Sequence, residues 1–208
     1  MKRILVVLFF LFCVTTPAWA DYDSAMAAYK AGDYATALKE LKPLAEQGEA
    51  KAQNTLGWMY REGQGVARDY NEALKWFQKA ADQGFAKAMN NLGMMYESGV
   101  GVKQDGAEAL KWYRKSADQG DAWGQNNIAM LYKDGKGVPQ NQAEAVNWFR
   151  KAADQGLPKA QFQLALMYEQ GLGVQQDQAE ASKWYQKAAD QGFAEAKSKL
   201  EAEKGKTQ

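Results

Sequence analysis

Beyond residue 49 the apolar positions of the chain fall into a short pattern that recurs without interruption. Leu56, Met59 and Tyr60 lie three and four residues apart, and Ala73, Leu74, Trp76, Phe77, Ala80 and Ala81 repeat that spacing more densely. Each set covers one face of an α-helix. Between them, Gly63-Gln64-Gly65-Val66 breaks the pattern, and its glycines can end the first helix in left-handed conformations. The pattern therefore predicts two buried helical faces joined by a glycine turn.

The same unit returns at a fixed interval. Asp-Gln-Gly ends at Gly84, Gly120, Gly156 and Gly192, and a related Glu-Gln-Gly ends at Gly48, each 36 residues from the next. Four full units follow, 49–84, 85–120, 121–156 and 157–192, with 12 of 36 columns identical in all four. A fixed period of this length signals a solenoid, in which each unit is stable only against its neighbours. The expected fold is all-α, an α-solenoid of antiparallel helix pairs.

The recurrent polar and aromatic residues read as parts of this scaffold. Gly99 to Val102, Gly135 to Val138 and Gly171 to Val174 repeat the turn, and the motif follows a helix instead of a strand and recurs in every unit, which argues against a phosphate-cradling role. Asp69 and Glu72, Asp105 and Glu108, Asn141 and Glu144, and Asp177 and Glu180 have capping-box spacing at the start of each second helix. Trp76, Trp112, Trp148 and Trp184, each followed by Phe or Tyr, form an aromatic ladder expected to pack between units. Burying ~200 Å² per Trp at ~25 cal/mol/Å² contributes roughly 5 kcal/mol before entropy losses.

The unit Ala-x-x-x-Leu-Gly-x-Met-Tyr-x-x-Gly-x-Gly-Val, followed by Glu-Ala-x-x-Trp and Ala-Asp-Gln-Gly, resembles the Sel1-like repeat family over 49–192. Ala129 and Ala165 stand where the first two units have Gly57 and Gly93. Upstream, Gly32-Asp33-Tyr34-Ala35-Thr36-Ala37 is more similar to a tetratricopeptide unit with a shorter turn, which makes 21–48 an N-terminal capping unit. Residues 193–208 begin another first helix but place Glu201 at the Gly/Ala column and end Lys-rich, as a solvated cap should.

The resemblance implies a right-handed α-solenoid with a concave wall lined by the first helices. Carried over to this chain, it gives partner-binding rows of Lys51, Lys87, Trp123 and Lys159; of Asn54, Asn90, Asn126 and Phe162; of Trp58, Met94, Met130 and Leu166; and of Arg61, Glu97, Lys133 and Glu169. Asn91 and Asn127 fall where tetratricopeptide relatives hold a peptide backbone. Amides that can satisfy an extended backbone, beside adaptable Met and rigid aromatic anchors, make a protein-binding chemistry. The plainer alternative for the Asn row is hydrogen bonding between neighbouring helices. Trp58, Trp123 and Phe162 stand out because none belongs to the repeated aromatic core.

The N-terminus and composition narrow the function. Lys2 and Arg3, the apolar run Ile4–Val14 and Ala18-Trp19-Ala20 read as a signal peptide cleaved after Ala20, too short in its apolar part to span a bilayer. That predicts an exported protein, periplasmic or secreted, and not an integral membrane protein after cleavage. Residues 21–208 carry 24 Lys plus Arg against 25 Asp plus Glu, which argues against general nucleic-acid binding. The sequence has no His, and its single Cys, Cys13, lies in the leader. The exported chain therefore has no Ser-His-Asp triad, Cys-His pair or thiol nucleophile, and no cofactor is expected. The expected role is a non-catalytic scaffold or adaptor for a protein or peptide partner in the cell envelope. Peptidoglycan or glycan recognition is the alternative, and a carboxylate-dependent hydrolase a more remote one.

Overall fold

The computed structural model describes residues 21–206, so the expected leader lies outside the described residues. Among these, eleven helices and no strands are found. They are α1 (Tyr22–Lys30), α2 (Tyr34–Glu46), α3 (Ala50–Glu62), α4 (Tyr70–Asp82), α5 (Ala86–Ser98), α6 (Gly106–Asp118), α7 (Ala122–Asp134), α8 (Gln142–Asp154), α9 (Pro158–Gln170), α10 (Gln178–Asp190) and α11 (Ala194–Lys206). Each helix packs on the next in sequence, and α5 also touches α7, which brings first helices of successive units together on one side of the array. The chain is an all-α solenoid.

The core follows the repeated columns. Ala52, Leu56 and Met59 of α3 are buried with Ala73, Phe77 and Ala80 of α4, and Ala160, Leu164 and Met167 of α9 are buried with Ala181, Tyr185 and Ala188 of α10. Gly57 and Gly93 let the paired helices approach closely: a Cβ would sit 2.7 Å from Phe77 and 2.5 Å from Tyr113. The aromatic ladder divides its work. Phe77, Tyr113, Phe149 and Tyr185 are fully buried, whereas Trp76 and Trp184 are buried but keep 6% exposure and Trp112 and Trp148 are half-buried. Successive residues are rotated ~100° around a helix, so the two aromatics cannot share a direction. Each indole instead carries a lysine ammonium from one turn later. Lys79, Lys115, Lys151 and Lys187 lie 4.2, 3.9, 3.8 and 3.7 Å from the ring centroids.

The second helices start on side-chain caps. Asp69 accepts from the backbone N–H groups of Asn71 and Glu72, Asp105 from Ala107 and Glu108, Asn141 from Glu144, and Asp177 from Glu180. The reciprocal half of the expected box is missing. The cap N–H is already donated to a tyrosine carbonyl of the preceding helix, Asp69 to Tyr60 and Asp105 to Tyr96, both at 2.9 Å. Glu72, Glu108 and Glu180 bind Lys75, Lys111 and Lys183 on the next turn instead, at 2.9, 2.7 and 3.0 Å.

The two turn glycines have different duties. Gly63, Gly99, Gly135 and Gly171 are left-handed C-caps. Gly65, Gly101, Gly137 and Gly173 also have positive φ but touch the preceding unit, where a Cβ would lie 2.6 Å from Tyr34 O, 2.6 Å from Tyr70 Cβ, 2.3 Å from Gly106 and 2.3 Å from Gln142. The glutamine of Asp-Gln-Gly knits units too. Gln83 Nε2 donates to buried Gln53 Oε1 (2.8 Å), and Gln53 Nε2 donates to Ala45 O in the preceding unit (3.0 Å).

Candidate functional site in the inner groove

The first helices present their outer residues along one groove, and the row residues occupy it unequally. Lys51, Lys87, Trp123 and Lys159 are exposed, Trp123 to 47%. Trp58, Met94, Met130 and Leu166 are half-buried. In the amide row, Asn54 is half-buried, but Asn90 is 7% exposed and Asn126 is sealed at 0%. The last row is spent on contacts within the protein. Arg61 stacks 4.5 Å from the Trp58 centroid, Glu97 accepts from the Tyr113 hydroxyl at 2.6 Å, Lys133 donates to Gln163 at 3.0 Å, and Glu169 pairs with Lys199 at 2.9 Å.

The amides link consecutive units. Asn91 Nδ2 donates to Asn54 Oδ1 at 2.8 Å, and Asn127 Nδ2 donates to Asn90 Oδ1 at 2.9 Å. The plainer reading of these asparagines thus describes part of what they do. The series stops at the next step, because Gln163 is taken by Lys133 and the Asn126 Oδ1 is left buried without a partner. Between the first two units, the Asn54–Asn91 pair uses one donor and one acceptor. The Asn54 amide donor and the Asn91 carbonyl acceptor remain available to the groove.

Two adjoining cavities open here. One of about 360 Å³ is lined by Asn54, Trp58, Lys87, Asn90, Asn91 and Met94, and is closed at its far end by Asp121 and Trp123. The other, about 440 Å³, shares Asn54, Trp58 and Lys87 and adds Lys51, Thr55 and Phe85. The N-terminal helix α1 completes it with Tyr22, Met26 and Tyr29. Tyr22 is held by a 3.1 Å hydrogen bond to Thr55 Oγ1, and Tyr29 donates to Gln64 Oε1 at 2.7 Å. Burial, then the neighbouring Tyr34 and Glu62, push the Tyr29 phenol above its ordinary pKa. It remains a neutral donor at physiological pH.

Seven of the twelve row residues from Lys51 to Leu166 in the first three rows line these cavities: Lys51, Asn54, Trp58, Lys87, Asn90, Met94 and Trp123. Asn126, Met130, Lys159, Phe162 and Leu166 line neither. Phe162 turns into the C-terminal packing, with ring centroids 5.5 Å from Tyr185 and 5.3 Å from Phe193. Sequence reasoning had not named Tyr22, Met26, Tyr29, Phe85 or Asp121 as site residues. The three α1 residues lie three and four positions apart, a one-face spacing that could have revealed them. Asp121 is held as an N-cap, accepting from Gly124 N at 2.8 Å and lying 2.9 Å from Ser116 Oγ.

Among the described residues no helix is long and apolar enough to cross a membrane, and no three acidic residues gather as metal ligands. The groove offers aromatic surface, thioethers, amides, ammonium groups and the Asp121 carboxylate. These hold ligands by burial, hydrogen bonds and charge.

Comparison with known proteins places this geometry in a family. The Sel1 repeat model matches residues 50–85, 86–121, 124–157 and 158–193. Among solved structures, a protective antigen present in uropathogenic Escherichia coli strains and displaying an SLR fold is 43% identical, with a TM-score of 0.73 over 78% of this chain. The chain spans only 35% of that antigen's length. A Sel1 repeat protein from Oxalobacter formigenes is 39% identical, with a TM-score of 0.71 over 85% of this chain and 72% of the other. An immunity protein from Pseudomonas aeruginosa, 23% identical with a TM-score of 0.60 over 83% of this chain and 68% of its own, shares the fold. No curated protein matches the chain. Four consecutive repeats with their turns, caps and aromatic columns in register show that the chain belongs to the Sel1 repeat family.

Proposed function

We propose that this chain is an exported scaffold that holds a polypeptide partner in the groove between α1 and α7. Sel1 repeats are typically protein-interaction scaffolds and generally non-catalytic. The observation that carries the reading is Trp123, a large aromatic left 47% exposed at the edge of a cavity it shares with Trp58 and Met94. Covering roughly 100 Å² of its remaining surface contributes on the order of 2 kcal/mol, or about thirtyfold in affinity. Export to the periplasm or beyond rests on the leader-like residues 1–20. It predicts a mature N-terminus at Asp21 by mass spectrometry of the exported protein.

Site-specific photo-crosslinking in envelope extract tests the groove. A photoreactive residue at position 123 should capture a discrete polypeptide, and one at Lys111, exposed on a second helix, should not. Trp123→Ala with Met94→Ala should abolish capture by a crosslinker at Lys87. Equal capture from 111 and 123 would sink the reading. So would cosedimentation with purified peptidoglycan that depends on Trp123, which would point to sugar stacking.

A further inference from the structure

Resting on the polypeptide-binding reading, the distribution of charge along the groove narrows the kind of partner. The cavity beside α1 has two ammonium groups on its wall, Lys51 and Lys87, and no carboxylate. Neither lysine is ion-paired among the described residues, although most other groove charges have partners. Lys51 sits 5.9 Å from the Tyr22 centroid, a loose contact that leaves its charge uncompensated. The one carboxylate lining these two cavities, Asp121, belongs to the cavity away from α1, with Trp123. The groove thus has an electrostatic direction, basic toward α1 and acidic toward α7. Between the ends lie Asn54 and Asn91, whose bond to each other leaves one amide donor and one carbonyl acceptor, with Asn91 itself only 6% exposed.

The geometry points to an acidic peptide segment as the occupant. An Asp or Glu side chain lies between Lys51 and Lys87, the amide pair holds the following backbone, and a large apolar side chain fills the space between Trp58, Met94 and Trp123. The acidic residue takes the α1 end because the Asp121 end would repel it. The lysines are partly solvated, so they select the partner and its register more than they add affinity.

Selection from a random dodecapeptide display library against the chain from Asp21 onward tests this. The expected result is enrichment of Asp or Glu within a few residues of Phe, Trp, Leu or Met. Synthetic peptides with blocked termini should bind about tenfold more weakly once the acidic residue becomes its amide, or once Lys51→Gln and Lys87→Gln are combined. Lys51→Glu with Lys87→Glu should reverse the preference toward Lys-containing peptides, a change that mere misfolding would not produce. Selected peptides that depend on Trp123 and Met94 but show no acidic preference would overturn the inference and leave the groove reading standing. Selection of no peptide dependent on Trp123 and Met94 would overturn both, as would binding only to anionic lipid vesicles.

Discussion

Replacing Gly137 by Ala should cost far more than the same change two residues earlier. Both positions are left-handed, with φ of 71° at Gly135 and at Gly137, so each substitution carries the same ~1–2 kcal/mol for an L-residue in that region. Their surroundings differ. A Cβ at Gly135 meets Gln140 Cβ at 3.2 Å, and a few tenths of an ångström of side-chain movement relieve it. A Cβ at Gly137 would lie 2.3 Å from both Cα and the carbonyl carbon of Gly106, backbone at the start of α6 that cannot yield without parting two units. Overpacking of this kind adds about 1–3 kcal/mol. The gain from a less flexible unfolded chain is shared and cancels in the comparison. At ~2–4 °C per kcal/mol for a chain of this size, Gly137→Ala should lower Tm by roughly 4–20 °C and Gly135→Ala by about 2–8 °C. Helical circular dichroism followed through thermal and urea unfolding reads both. Equal losses would show that the second turn glycine serves only its own backbone and not the contact between units.

Gly124→Ala should destabilise the array, because its Cβ would fall 2.8 Å from Ser116 Oγ, 2.9 Å from Ser116 Cβ and 3.0 Å from the Ala117 backbone nitrogen; adding Ser116→Ala removes only the first of these contacts and should recover only part of the loss in urea midpoints. Tyr113 is buried, and desolvation followed by its bond to Glu97 raises its pKa well above the ordinary 10.0. Folding then holds a proton that the unfolded chain releases, so this stabilisation is complete below pH ~10 and is lost above it; Tyr113→Phe should flatten the decline in Tm between pH 9.5 and 11, both figures about the phenol's usual range. Asp69→Ala removes the acceptor for two N–H groups and should cost about 1 kcal/mol by chemical denaturation, with no effect on peptide binding.

The helix pairs, turns and caps were legible because they recur: a feature present in every unit serves the unit. What recurrence could not convey is direction. The Trp column packs between units as expected, Trp76, Trp112 and Trp148 each against the cluster of the preceding unit, yet the smaller aromatic beside it is the more deeply buried one. The difference is one residue's rotation about the helix, set by where the partner helix lies. Depth was equally hidden. Asn54, Asn90 and Asn126 share a column, but their exposure falls along the array as neighbouring units close over them. The Glu of the capping box failed for a related reason, since its target N–H had been claimed by a carbonyl some nine residues earlier, Tyr60 for Asp69.

The location of the groove within the array comes down largely to one column of the first helix. Where it holds Asn54 and Asn90, a small amide bonds to the next unit and leaves space above it, and both cavities lie over that stretch. At the last unit the same column holds Phe162, whose ring fills the space against Tyr185 and Phe193. Asn126 stands at the junction, fully buried, its carbonyl without the amide donor that the two earlier junctions receive. Such a scaffold can therefore open or close its binding surface by exchanging one amide for one ring. In this chain that exchange confines the open groove to the units nearest α1, the helix that adds Tyr22, Met26 and Tyr29 to its wall.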